Sequence, residues 1–187
     1  EREIRGLQYG IRKGLRLIDT AEMYADGKAE NIAGNAIRIF ERSSLYLVSK
    51  VYPQNANRHR IYSSLERSLK LLGTDYLDLY LLHWRGGYPL EETFEALERL
   101  RQEGKIRAWG VSNFDTDDMQ EAEECDPDGN CCINQVLYNI GSRGIEWSLI
   151  PWQKKRNIPV MAYSPLYQTR LLKSNGLQKV AQELSIT

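Results

Sequence analysis

The sequence has 187 residues, of which 25 are basic and 25 are acidic, so its formal charge at pH 7 is zero with both histidines neutral. This balance excludes the strong positive field that holds nucleic acid or an anionic membrane. Hydrophobic residues make up 42% and charged residues 27% of the chain, which is typical of a globular domain. Three cysteines without a paired framework favour reduced thiols in a cytoplasmic compartment.

Short apolar runs alternate along the chain with longer amphipathic stretches. The runs are continuous and rich in Val, Ile, Leu and Tyr, which predicts six buried strands, at residues 15–19, 45–51, 77–83, 106–112, 132–136 and 159–163. Between the strands, apolar spacing predicts helices that end at Gly73 and Gly104. Asp115 is a candidate N-cap for a further helix, and residues 177–184 form another helical stretch.

The strands start about 25 to 32 residues apart, close to the roughly 30 residues of a strand–helix–strand unit. This regular alternation predicts an α/β fold with a parallel sheet. An open doubly wound sheet and a (β/α)8 TIM-type barrel both satisfy it. The absence of a Gly-x-Gly-x-x-Gly fingerprint after a strand weakens the first. A barrel has eight units and about 250 residues, so the barrel interpretation requires two units to be absent from the sequence.

Polar residues follow the first three predicted strands. Asp19 ends the first and Tyr24 comes five residues later, Lys50 lies near the end of the second, and His83 ends the third. Taken singly, each is more typical of a turn, packing or structural residue. Together they suit carbonyl reduction, because Tyr24 could protonate the oxygen if Lys50 lowered the phenol pKa from its usual value of about 10. Asp19 could hold Lys50, and His83 could orient the substrate oxygen.

Seven short motifs carry a more specific signal. They lie at residues 17–24 (LIDTAEMY), 47–51 (LVSKV), 75–84 (DYLDLYLLHW), 104–107 (GKIR), 110–114 (GVSNF), 134–135 (NQ) and 162–166 (AYSPL). In this order and approximate spacing, the chain resembles an aldo-keto reductase over nearly its whole length. Within that family it looks most like bacterial members that act on small aldehydes such as methylglyoxal.

The resemblance implies specific roles. Asp19, Tyr24, Lys50 and His83 would form the catalytic tetrad, with Tyr24 as the general acid. The implied cofactor is NADP(H), or less often NAD(H), bound without a Rossmann motif; its implied contacts are Ser112, Asn113, Gln135, Tyr163, Ser164 and Leu166. For Ser164 and Leu166, a turn with a buried leucine is an equally good interpretation. Trp84 would line the substrate pocket, and Arg85, where proline often stands in this family, is interpreted as a solvated side chain.

We therefore expect an oxidoreductase that reduces small aldehydes or dicarbonyls with NADPH. The alternative is a non-catalytic relative that binds the cofactor as a regulatory subunit or sensor. The expected partner is a small carbonyl substrate, with no nucleic acid, no membrane and a monomeric state. No metal is expected, because Cys131 and Cys132 have no further Cys or His cluster to complete a zinc site.

Residues 1–187 are predicted to form a single aldo-keto reductase barrel domain. The hairpin and first strand of that family, and its last strand–helix unit, have no counterpart in the sequence. We expect these 187 residues to be part of a longer polypeptide, and an inert fragment stays open as an interpretation.

Overall fold

The structure is a computed structural model that describes residues 1–186. Its contacts divide the chain into two compact units, Glu1–Cys132 and Ile133–Thr187. The assignment of residues 1–187 to a single domain stays a prediction.

The first unit contains parallel strands that neighbour one another in chain order. They are β1 (Leu17–Asp19), β2 (Tyr46–Val51), β3 (Leu77–Leu82) and β4 (Ile106–Ser112). All residues of β3 are buried, which explains its continuous apolar run. Because the strands are parallel, their carboxyl ends lie at the same edge of the sheet.

Helices cover the strands of the first unit and bury one apolar face each. They are α1 (Arg2–Arg12), α2 (Lys28–Ile37), α3 (Arg60–Leu72), α4 (Leu90–Gln102) and α5 (Thr116–Cys125). Helix α3 ends at Gly73 in the left-handed conformation, as predicted, with φ of 67°. Helix α2 approaches α3 closely at Gly34, where a Cβ atom would lie 2.4 Å from the carbonyl oxygen of Leu71. Glycine at this position therefore allows α2 to pack against the end of α3.

The start of α5 confirms the predicted N-cap. Asp115 Oδ1 accepts hydrogen bonds from the backbone N–H groups of Asp117 and Asp118, both at 2.9 Å. The Asp118 side chain accepts in return from the backbone N–H of Asp115 at 3.2 Å, which completes a capping box. Helix α5 thus begins directly after the end of β4 and the Ser112-Asn113 pair.

The second unit contains a parallel strand pair and two helices. The elements are β5 (Cys131–Leu137), whose first two residues fall in the first unit, α6 (Leu149–Lys155), β6 (Val160–Tyr163) and α7 (Asn175–Glu183). Strand β6 is half-exposed or exposed along its whole length, so the prediction that it is buried was wrong. Within the described residues β6 is the last strand of its sheet and pairs only with β5, which leaves its other edge uncovered.

The six strands predicted from the sequence all form within residues 1–186, with small differences at their ends. The first begins at Leu17, because Leu15 is 68% exposed and contributes little to the core. The third ends at Leu82, so His83 lies just beyond the strand, although its N–H still donates to the Val51 carbonyl at 3.1 Å. Across the same residues, no helix has both the length and the hydropathy needed to cross a membrane.

Candidate active site

The first unit brings Asp19, Tyr24, Lys50 and His83 together at the carboxyl edge of its sheet. The rings of Tyr24 and His83 meet edge to face, with centroids 5.7 Å apart. The Lys50 Nζ atom lies 5.2 Å from the centroid of the Tyr24 ring. Tyr24 itself is 39% exposed, so a small molecule can reach its ring from solvent. Four residues chosen from three separate strand ends therefore form one cluster.

Lys50 is fully buried and has a hydrogen-bond acceptor for each of its three N–H groups. Its Nζ donates to Asp19 Oδ1 at 2.8 Å, to Asp19 Oδ2 at 2.9 Å and to the Thr20 carbonyl at 2.8 Å. Burial lowers the pKa of Lys50, while the charge and hydrogen bond of Asp19 oppose that shift. Asp19 is therefore the group that favours the charged ammonium in this buried place.

His83 is only 7% exposed, and its environment favours the neutral imidazole. Burial, with a further contribution from the charge of Lys50, lowers the pKa of His83 to about 4. Its Nδ1 atom is buried and has no hydrogen-bond partner among the described residues. A neutral imidazole carries one donor and one acceptor nitrogen. His83 can therefore donate a hydrogen bond to a carbonyl oxygen without adding a positive charge.

Trp84 follows His83 in sequence and is half-buried. Its ring centroid lies 4.9 Å from that of His83 and 5.0 Å from that of Tyr52, with an angle of 81° between the Tyr52 and Trp84 planes. Tyr52 follows β2 directly. The sequence interpretation placed Trp84 in the substrate pocket. In the structure, its ring contacts both that of His83, in the predicted tetrad, and that of Tyr52.

Arg85 differs from its sequence interpretation as a solvated side chain, which was wrong. Its guanidinium donates to both carboxylate oxygens of Glu121 on α5, at 2.8 and 2.6 Å. It also donates to the carbonyl oxygens of Gly86 and Tyr88 in its own loop. Glu121 is remote in sequence, so only the fold reveals the pair. Arg85 thus ties the loop that begins with Trp84 to helix α5.

Ser112 and Asn113 lie at the end of β4. Ser112 is 1% exposed. Asn113 has a left-handed backbone with φ of 57°, a conformation that asparagine tolerates better than most residues. Its Nδ2 donates to the carbonyl oxygen of His83 at 3.0 Å and to Ser112 Oγ at 3.2 Å. Asn113 therefore links Ser112 to the backbone of His83, a predicted tetrad residue.

The remaining predicted cofactor residues lie in the second unit. Gln135 on β5 is 2% exposed, and its amide donates to the Met161 sulfur at 3.2 Å, a weak acceptor. Tyr163 ends β6 with a half-exposed side chain. Ser164 has φ of 50°, and its carbonyl accepts from Asn139 Nδ2 at 3.0 Å. Leu166 is 54% exposed, so the alternative interpretation of a turn with a buried leucine was wrong.

The structure also shows site residues that sequence reasoning missed. The backbone carbonyl of Thr20 accepts a hydrogen bond from Lys50. Sequence cannot indicate this contact, because every residue type has a backbone carbonyl. Glu22 stands between Asp19 and Tyr24 in sequence and is buried, and an acidic residue inside this motif was a signal that could have been used. Among residues 1–186 no group of three or more His, Cys, Asp or Glu side chains could hold a metal ion.

Parallel strands that alternate with helices, with polar side chains at their carboxyl edge, define the α/β class to which TIM-type barrels belong. A model of the aldo/keto reductase family matches residues 1–184, and the chain belongs to this family.

Sequence similarity to named proteins supports this family assignment. The chain is 54% identical over 179 residues to methylglyoxal reductase YeaE of Escherichia coli (strain K12), a match that covers 96% of this chain and 62% of the relative. It is 37% identical over 177 residues to a glyoxal reductase of Bacillus subtilis (strain 168), covering 92% of this chain and 61% of the relative. The chain therefore spans less than two thirds of the length of these curated relatives.

A solved structure matches the whole chain. An aldo/keto reductase from Klebsiella pneumoniae, in complex with NADP and acetate, is 50% identical with a TM-score of 0.93, and the match covers 100% of this chain and 67% of that one. The family and structure matches confirm the predicted fold class, a (β/α)8 TIM-type barrel of which this sequence holds a part. The roles of individual site residues stay predictions.

Proposed function

We propose that this chain acts in an NADPH-dependent reductase of small aldehydes and dicarbonyls. The observation that carries the proposal is the ion pair between the buried Lys50 and Asp19, beside the rings of Tyr24 and His83. The names of two relatives, a methylglyoxal reductase and a glyoxal reductase, support small dicarbonyls as the substrate class. The environment of His83 favours its neutral imidazole, which suits a hydrogen bond to an uncharged carbonyl oxygen.

In this proposal Tyr24 donates its hydroxyl proton to the carbonyl oxygen as negative charge develops there. The Lys50 ammonium stabilises the phenolate that Tyr24 becomes, and Asp19 keeps Lys50 charged and in place. His83 donates a hydrogen bond to the same oxygen and fixes its direction toward Tyr24. In the reverse direction, Tyr24 acts as the base that takes the proton of the alcohol.

NADP(H) is the proposed cofactor, with NAD(H) less favoured, because two similar solved structures are described as complexes with NADP and NADPH. When bound, the reduced nicotinamide supplies the hydride. The residues present suit this group: Ser112 and Gln135 are buried hydrogen-bonding side chains, and Tyr163 offers a half-exposed aromatic face. The proposed contacts are Ser112, Asn113, Gln135, Tyr163, Ser164 and Leu166.

Tyr24→Phe tests the proton-donor role. In the natural full-length protein we expect kcat to fall by about a hundredfold or more, because general acid catalysis is lost, while NADPH affinity stays unchanged. Stopped-flow oxidation of bound NADPH by a panel of aldehydes measures the rate, and fluorescence titration measures the affinity. Tyr9→Phe, at a 65% exposed tyrosine of α1, is the matched control and should keep full activity. Normal turnover by Tyr24→Phe would contradict the mechanism, and a wild type without substrate-dependent oxidation would favour a non-catalytic cofactor-binding protein.

We also propose a monomeric protein in a reducing compartment such as the cytoplasm. The sequence holds three cysteines without a paired framework, which favours a reducing compartment. Light scattering on the purified full-length protein would measure its mass, and a dimer mass would contradict the monomer.

A further inference from the structure

Glu22 lies between the two tetrad residues of the β1 end, Asp19 and Tyr24, and is only 5% exposed although it is acidic. We propose that Glu22 is a positioning residue that fixes both the proton donor Tyr24 and the pocket wall formed by Trp84. This inference rests on the proposed function and adds to it a residue that touches neither substrate nor cofactor.

The Glu22 carboxylate accepts hydrogen bonds from one continuous part of the chain. Its Oε1 accepts from the backbone N–H of Tyr52 and from Asn55 Nδ2, the latter at 3.1 Å. Its Oε2 accepts from the Ser64 hydroxyl on α3. These donors all follow Lys50 in sequence. The carboxylate therefore joins the segment that ends β1 to the segment that leaves β2 and to the first half of α3.

This junction bears on Tyr24 because the segment that carries it is short and closely held. The Glu22 N–H donates to the Lys50 carbonyl at 3.4 Å, and the Tyr24 N–H donates to the Ala21 carbonyl at 3.0 Å. Tyr24 therefore belongs to a tight turn whose side-chain anchor is Glu22. Fixing Glu22 against Tyr52 holds this turn in register with Lys50, whose ammonium lies 5.2 Å from the centre of the Tyr24 ring.

The same carboxylate also bears on the pocket wall. The backbone N–H of Tyr52 donates a hydrogen bond to Glu22. The Tyr52 ring contacts Trp84 edge to face, with centroids 5.0 Å apart. A displaced Tyr52 would leave Trp84 without its support on that side. One buried acid thus couples the position of the proton donor to the position of the aromatic wall, and its loss should affect both kcat and KM.

The Glu22 side chain borders open space into which its carboxylate can turn. A cavity of about 410 Å³ is lined by Glu22, Asn55 and Ser64 together with the Arg60 and Arg67 side chains of α3. Without the side-chain donors of Asn55 and Ser64, the carboxylate keeps only the Tyr52 N–H of its three described donors, and it could then turn into this cavity toward the arginines and release Tyr52. Removing these two side-chain donors should therefore imitate removing the acid.

Glu22→Ala and Glu22→Gln in the natural full-length protein test the proposal. We expect Glu22→Ala to lower kcat at least about tenfold and to raise KM for the dicarbonyl, because small displacements of a catalytic group are costly, with NADPH affinity unchanged. Glu22→Gln keeps the size of the side chain and an acceptor oxygen for Tyr52, so it should retain kcat within about threefold. The Tyr24 ζ-carbon resonance of ¹³C-tyrosine-labelled protein, assigned by its loss in Tyr24→Phe, should move in Glu22→Ala and stay in place in Glu22→Gln.

Leu69→Ala is the matched control for a loss of stability alone. Leu69 is 3% exposed on α3, so its truncation destabilises the fold, yet kcat per folded molecule and the Tyr24 resonance should not change. If Glu22→Ala behaves like Leu69→Ala at equal thermal stability, the positioning role is wrong. Should Glu22→Ala fail to fold, the double variant Asn55→Ala with Ser64→Ala takes its place, and an unshifted Tyr24 resonance there overturns the proposal. The resonance is informative even if wild type reduces no carbonyl, so the two proposals can fail separately.

Discussion

His83 and Lys50 show how burial sets the charge of single side chains at this site. Burial lowers the pKa of both, and in both cases it is the largest cause of the shift. Lys50 has Asp19 at hydrogen-bond distance to oppose the shift. His83 lies close to the Lys50 charge, which strengthens its shift. The result is a neutral ring next to an ion pair, which is the combination that hydrogen-bonding and protonating one carbonyl oxygen requires.

The pKa of His83 predicts a dependence of stability on pH. The unfolded chain protonates this histidine near pH 6.5, whereas the folded protein resists protonation until about pH 4. Between these values the unfolded state binds more protons, so stability falls as the pH falls through this window. Because the site is partly open and solvent screens its charges, we expect this shift to change stability by roughly 1–2 kcal/mol. Urea unfolding of wild type and His83→Gln from pH 7 to pH 4 measures the difference, which should appear only on the acidic side.

His59→Gln is the control for that measurement. His59 is exposed at the start of α3, so its replacement controls for exchanging a histidine for a glutamine outside the site. If the pH dependence of stability is the same in His83→Gln and His59→Gln, the buried neutral state of His83 is contradicted.

Single residues differ in how well the sequence predicted them. Asp19, Tyr24, Lys50 and His83 could be grouped because each follows an apolar run, and parallel strands bring such ends to one edge. Glu22 and Arg85 could not be interpreted in this way, because their partners Tyr52 and Glu121 are brought to them only by the packing of loops and helices. A charged residue inside or beside a motif carries no local signal that identifies its hydrogen-bond partner in the fold.

At the scale of elements, the candidate site residues lie at the ends of strands, and a helix cap fixes where the helix after a strand begins. Helix α5 begins three residues after Asn113, and its capping box sets that starting point. Arg85 joins the same helix to the loop after Trp84. Two site segments, one after β3 and one after β4, are therefore both held by α5. The order of these segments could be predicted from apolar periodicity, but the Arg85 contact between them could not.

Removing the cap of α5 tests this element. Asp115→Ala leaves the N–H groups of Asp117 and Asp118 without their acceptor, so we expect a loss of about 1 kcal/mol in the free energy of unfolding. Chemical denaturation measures the loss. Glu124→Ala, at an exposed acid in the last turn of the same helix, should change stability by less than about 0.5 kcal/mol. An equal effect of both variants would show that the capping box contributes nothing specific.

Strand exposure was harder to predict than strand position. Residues 77–83 and 159–163 look alike in sequence, yet β3 is buried throughout while β6 is half-exposed or exposed. The difference is in neighbours: β3 has a paired strand on each side, and β6 pairs with β5 alone in the part of the chain that the structure describes. Apolar runs predict strands, but the number of neighbouring strands depends on the rest of the sheet.

At the scale of the whole molecule, the family and the fold class followed from motif order, because several motifs in register are specific where each alone is weak. The zero net charge of these 187 residues also limits what they bind through long-range electrostatics. We therefore attribute affinity for the proposed cofactor to local contacts such as those proposed for Ser112 and Gln135. A ligand that binds only the folded state stabilises the whole protein.

We therefore expect NADPH to stabilise the natural full-length protein. At a hundred times its dissociation constant, NADPH should raise the free energy of unfolding by about 2.7 kcal/mol. Thermal unfolding with and without NADPH measures this, and NADH at the same concentration should give a smaller rise in Tm. Tyr24→Phe should keep the full NADPH effect, whereas Gln135→Ala should reduce it. No rise in Tm with either nucleotide would contradict the proposed cofactor.

The burial of Lys50 has a further consequence for a protein proposed to handle dicarbonyls. Such compounds modify amines, and an amine attacks a carbonyl carbon only through a free lone pair on nitrogen. The Lys50 nitrogen directs all three of its protons to Asp19 and to the Thr20 carbonyl, and its side chain is fully shielded from solvent. Under the proposed function, Lys50 is thereby shielded from modification by the compound that it would help to reduce, whereas Lys179, with 78% of its side chain accessible, lacks this shielding from solvent.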